Sequence, residues 1–147
     1  MLSSKSNSRN LLDVTKESEQ IITAMIVGLW LFGIAISAHY DTWKLGLVMG
    51  TSSLLVYLAS RFAFPTRSIT RLLGATVMAL YMVQYLAQLH GLYEMHFWFF
   101  IMPMFLIIYK DWLVYIPFAL VIVIHHVGIF ILIRQGHQEY LQYFINM

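Results

Sequence analysis

Apolar residues run along this chain in five long blocks separated by short polar punctuation. The blocks cover roughly residues 21–38, 45–62, 72–89, 93–109 and 113–133. A helix that crosses a bilayer needs about 20 predominantly apolar residues, so each block predicts a transmembrane helix. Arg61 closes the second block, and the linker Phe64-Pro65-Thr66-Arg67-Ser68 breaks the helix before the third. His90-Gly91-Leu92-Tyr93-Glu94 and Lys110-Asp111-Trp112 read as tight turns on either side of the fourth. The polar, Ser-rich residues 1–19 read as a solvated tail, and residues 135–147 as a second tail or a loop without a span of its own. Ala35-Ile36-Ser37 has the look of a weak cleavage site. The long, charge-mixed leader and the length of the apolar run favour a retained helix instead.

Composition fixes the class. Of 147 residues, 60% are hydrophobic and 11% charged, with a mean hydropathy of +0.72. Soluble domains are about 45–50% apolar and about 25% charged, so the expectation is an all-α, integral membrane helix bundle of about five spans. A formal charge of +2 with no dense basic stripe excludes a nucleic-acid partner; the bilayer is the expected one. With no Cys, disulfides, thiolate zinc sites and iron–sulfur clusters are excluded. Placing the N-terminus inside puts Lys5, Arg9, Lys16, Arg61, Arg67, Arg71 and Lys110 on the cytoplasmic side, and only Lys44 and Arg134 outside. That seven-to-two split gives the orientation by the positive-inside rule. Tyr40, Trp43 and Tyr93 then lie at the outer interface, and Tyr109, Trp112 and Tyr115 at the inner one.

Gly46 and Gly50 form a GxxxG, and Ala24 with Gly28 and Ala75 with Ala79 repeat the spacing. Such pairs let backbones approach, so they read as bundle packing or a dimer seam. The third and fourth spans are expected to pair tightly. Pro103 should kink the fourth span by freeing the Phe99 carbonyl, whereas Pro117 lies in the first turns of the fifth.

Six histidines stand out in so apolar a chain. His39 and His90 end spans one and three on the outer side, and His96 lies just inside the start of span four. His125 and His126 precede Arg134 by nine and eight residues, about 12–14 Å of helix rise. These five share one outer layer, while His137 lies beyond it. An interfacial His is an ordinary helix-end residue, but ionisable groups deep in a bilayer usually mark a site. Adjacent positions point about 100° apart, so His125 and His126 cannot face one partner. Zinc would need three or four convergent ligands, and copper would suit His with Met95 or Met102. Haem needs two axial His and apolar walls, which Phe97, Phe99, Phe100, Phe130, Leu86 and Ile129 can supply. Lys44 and Arg134, the only outer cations, are placed for propionates, which ranks haem b first and leaves copper and zinc open. Glu94, two residues before His96, is either a helix-start carboxylate or a partner to a ligating imidazole.

His90-Gly-Leu-Tyr-Glu94-Met-His96-Phe97, Tyr109-Lys-Asp111-Trp112 and His125-His126 together resemble a bacterial membrane sensor domain. That domain precedes signalling modules in methyl-accepting chemotaxis proteins and diguanylate cyclases. The resemblance covers roughly residues 70–134. It implies a redox- or ligand-responsive input in the bacterial cytoplasmic membrane, haem b as cofactor, and a homodimer coupled to a cytoplasmic signalling module. Five spans would leave the C-terminus outside, so the expectation is either that a sixth span and an output module follow or that the protein is a free-standing relative. Two other readings stand beside it: an electron-transfer cytochrome b acting with quinone, and a copper- or zinc-binding membrane sensor. No nucleophile–base pair or carboxylate dyad is visible, so an enzyme is not expected.

Overall fold

The computed structural model describes residues 2–65, 68–90 and 92–135. Helix α1 spans Leu2–Tyr40. A π-helical segment, Leu45–Gly50, continues into α2, Thr51–Ala63. Helix α3 spans Ser68–Gln88. A broken rod follows, made of α4 (Tyr93–His96) and α5 (Trp98–Leu106), and α6 runs over Tyr115–Arg134. No strand occurs among the described residues. Four helical stretches, Lys16–Tyr40, Leu45–Ala63, Ser68–Gln88 and Trp112–Leu132, are long and apolar enough to cross a membrane. The fifth apolar helix, Glu94–Tyr109, is shorter.

The structure moves several boundaries. Residues 2–19, within the segment read as a tail, continue α1 as helix, and Ser18 and Glu19 are buried. The fourth block breaks at Phe97, not at Pro103, which sits within α5. Its last turn tightens to 3₁₀ geometry at Ile107–Tyr109. Of the 135–147 segment only Gln135 is among the described residues, so His137 lies outside them.

Three reversals each use a non-glycine residue in the left-handed region: Asp41 after α1, His90 after α3 and Lys110 between the 3₁₀ turns Ile107–Tyr109 and Trp112–Val114. A left-handed residue stops a helix by turning the next N–H back toward its last carbonyls. After α1, the Thr42 N–H donates to the Ser37 carbonyl, and the Leu45 and Gly46 N–H groups both donate to Thr42.

Helix α3 is the axis of the bundle, with Ala75, Val77, Met78, Ala79, Tyr81, Met82, Tyr85 and Leu86 all buried. Its broadest packing is against α1 and α6, with α2 and α5 filling the remaining sides. The expected tight pairing of spans three and four is therefore secondary, because the broken rod offers only a short face. Gly46 and Gly50 face inward onto α1 and α3, so their spacing serves packing within one chain. By contrast, α6 buries 11% of its apolar window against 61% for α3. Ile116, Leu120, Val123, Ile124, Val127 and Phe130 of α6 all lie exposed. In water such a face would be unstable; in a bilayer it is an ordinary lipid-facing surface.

Charged groups staple the end of the bundle opposite the histidines. Arg61 of α2 pairs with buried Glu19 of α1 at 3.5 Å, and Arg71 of α3 pairs with Asp111 at 3.3 Å. The Ser18 hydroxyl donates to the Ile108 carbonyl, tying α1 to the turn after α5. Removing one partner of a buried ion pair strands the other charge, at a cost of about 3 kcal/mol. Arg61→Ala is expected to lower the thermal unfolding midpoint in detergent, while the double variant Arg61→Ala with Glu19→Gln recovers most of the loss. Equal midpoints for the single and double variants would show that Glu19 is not stranded.

Candidate functional site

The structure separates the histidine layer into two clusters. In the first, the end of α1 meets the end of α3: the Tyr40 ring lies 4.9 Å from His39 and 6.4 Å from His90, both edge-on. His39 is exposed and His90 half-buried. Lys44 is exposed and immediately precedes the π-helical segment.

The second cluster joins the broken rod to α6. The His126 ring lies 6.3 Å from Phe99, and Phe99 lies 6.1 Å from His96. His125 is within electrostatic reach of both His126 and His96. The imidazoles of His125 and His126, consecutive on α6, lie 5.4 Å apart with their planes at 88°. His125 is the more enclosed, and its Nε2 is buried without a hydrogen-bond partner. His126 is exposed, and its Nδ1 lies 2.8 Å from the Ile122 carbonyl. A carbonyl only accepts, so Nδ1 carries the proton and Nε2 keeps its lone pair. That is the tautomer a metal-binding imidazole needs, held by the same kind of backbone bond that orients such ligands.

The remaining expected residues fall around this cluster unevenly. Phe97, Phe100 and Phe130 are 66%, 72% and 59% exposed, so they flank it from the lipid-facing side and do not form a closed slot. Phe99 is the aromatic that lies between the imidazoles. Arg134 sits 6.0 Å from the Phe130 ring at the end of α6. Glu94 is exposed in the first turn of α4, the position of a helix-start carboxylate. Met102 is buried in the core and Met95 packs against it. Among the described residues, no three of His, Asp or Glu converge as a metal shell.

No protein-family description, curated protein or solved structure matches this chain. Function has to be argued from the site itself.

Sequence reasoning overlooked a second buried polar cluster. Gln84 and Gln88 of α3 are 1% and 0% exposed; they are hydrogen-bonded to each other, and Gln88 reaches α1 and Thr42 in the turn after it. Tyr81 donates to the Gly50 carbonyl at 2.9 Å, and Tyr85 donates to the Leu29 carbonyl. A signal was present: two glutamines four apart in an apolar span, with glycines at 46 and 50 on the preceding one. Glutamine carries no charge, so a search for ionisable groups passes over it.

Proposed function

We propose that this chain is a membrane-embedded, haem b-binding input domain of a bacterial signalling protein. The reading rests on one observation: the Phe99 ring lies against both His96 and His126, and the bond from His126 Nδ1 to the Ile122 carbonyl presents Nε2. The buried, partnerless Nε2 of half-buried His125 fits the same purpose, since such an atom is costly to leave unsatisfied. Haem bound there would supply a centre able to change oxidation state or take up a small ligand. In this reading His125 and His126 are the ligand candidates on α6, and His96 is the candidate on α4. Phe99 excludes water and keeps the rings apart, while Arg134 stands near the chain end where propionates would emerge. His39 and His90, gathered around Tyr40, are the candidate pair for a second haem. The N-terminal end of α1 faces the cytoplasm, and two copies associate in the membrane.

An absorption spectrum of the protein purified from membranes tests this reading. A Soret band whose visible bands sharpen after dithionite is the expected result. A colourless protein, purified from cells supplied with haem precursor, would overturn it.

A further inference from the structure

The broken rod α4–α5 is shorter than the helices it packs among. The stretches built on α3 and α6, Ser68–Gln88 and Trp112–Leu132, have 21 residues each, about 31 Å at 1.5 Å per residue. The stretch Glu94–Tyr109 has 16 residues, or about 24 Å. Charge marks both of its ends. Glu94 is exposed in the first turn of α4, and Lys110 is exposed directly after the last turn. A bilayer core is about 30 Å thick, so a core of ordinary depth would submerge one of these charges by about 6 Å. Lysine can bend its long stem toward the headgroups, whereas a glutamate has little stem to bend.

The rod cannot escape the mismatch by moving. Its far end is pinned, because Asp111 pairs with Arg71 at 3.3 Å and the Ile108 carbonyl accepts from Ser18 at 3.0 Å. A slide along the bundle would in any case withdraw one charge only by submerging the other. Nor is the rod shielded from its surroundings. Phe97, Phe100, Met104 and Ile107 are 66%, 72%, 66% and 63% exposed. They follow at steps of three, four and three residues, which sets them along one stripe. Met102 and Leu106 turn the other way, into the core. None of the described residues covers the stripe.

We propose that this stripe is a binding surface for phospholipids with short acyl chains, and that the protein thins the bilayer along α4 and α5. A hydrophobic stretch shorter than the bilayer core is met by local thinning, at a fraction of a kcal/mol per Å of mismatch, and short chains remove most of that cost. A second copy laid against the stripe would cover the same side chains but add nothing to the length between Glu94 and Lys110. Lipid of the right length answers both features. Around α6, whose stretch matches an ordinary core and whose outer face is equally bare, no such preference arises. The thinning is therefore confined to one side of the bundle, the side that carries His96 and Phe99.

Lipid selection at two positions of the full chain tests the proposal. The four tryptophans are replaced by phenylalanine, and one reporter is returned as Phe100→Trp on the rod or Val123→Trp on α6. Vesicles mix a short-chain and a long-chain phosphatidylcholine, with bromine on one or the other, so that indole quenching reports which lipid touches each reporter. The expected result is a twofold or greater enrichment of the short lipid at position 100 over position 123. Glu94→Leu, which joins the apolar stretch to Leu92 and Tyr93, should bring the rod's ratio to that of α6. Ile107→Asp, which draws the charged boundary inward by about one turn, should raise it further, so a failure to fold in one variant does not decide the matter. Equal ratios at the two positions, or a ratio unmoved by Glu94→Leu, would overturn the proposal. A Phe100→Trp reporter quenched by neither lipid would overturn it too, by showing that a second copy covers the stripe. The measurement reads no haem, so it stands or falls independently of the function proposed above.

Discussion

Alanine at both His125 and His126 is expected to leave the purified protein without a Soret band while its helical circular dichroism is unchanged. Both side chains sit on the least buried helix, so truncating them removes little packing. The haem-to-chain ratio should fall more than about tenfold, since losing even the group that orients a metal ligand weakens binding by about that much. The single variants separate the roles. His126→Ala removes the imidazole whose Nε2 lone pair is already presented, and His125→Ala removes the enclosed one. His96→Ala should reduce or shift the spectrum from the opposite side of Phe99. If the bis-alanine variant keeps the parent's spectrum and haem ratio, helix α6 supplies no ligand. Loss of colour only in His39→Ala or His90→Ala would move the site to the Tyr40 cluster.

Gly46→Ala is expected to destabilise the bundle by about 2–3 kcal/mol, the upper part of the range for overpacking a filled core. The added methyl would collide with the Ser37 hydroxyl, with Ser37 Cβ at 3.1 Å and Gln88 Nε2 at 3.3 Å blocking its retreat. The same chemical change at Gly128 meets nothing within 4 Å. There alanine should be neutral or stabilising by up to about 1 kcal/mol, because it loses less backbone freedom in a helix. Denaturant titration of the two variants in one detergent checks the contrast. Equal stabilities would mean that α1 and the π-helical segment do not touch as described.

Hydropathy by itself determined the helical blocks, because a bilayer demands long apolar helices and little else satisfies their backbone. The order of the spans also led to the expectation that five histidines share one layer, since alternating direction fixes depth once the spans are known. The 100° step between neighbours led to the expectation that His125 and His126 face different surroundings, and in the structure His125 is half-buried while His126 is exposed. Tertiary structure decided the rest. Only packing showed that Phe99, and not Phe97 or Phe100, lies between the imidazoles, because three aromatics within one turn are equivalent in a pattern but not against α6. Only packing turned Arg61 and Arg71 from orientation signals into ion-pair partners of Glu19 and Asp111, contacts that span 42 and 40 positions of chain. The Gln84–Gln88 cluster depends on three separate segments meeting at glycines. Hydrogen bonds between residues some fifty positions apart are set by how helices cross, and a hydropathy pattern carries no record of crossing.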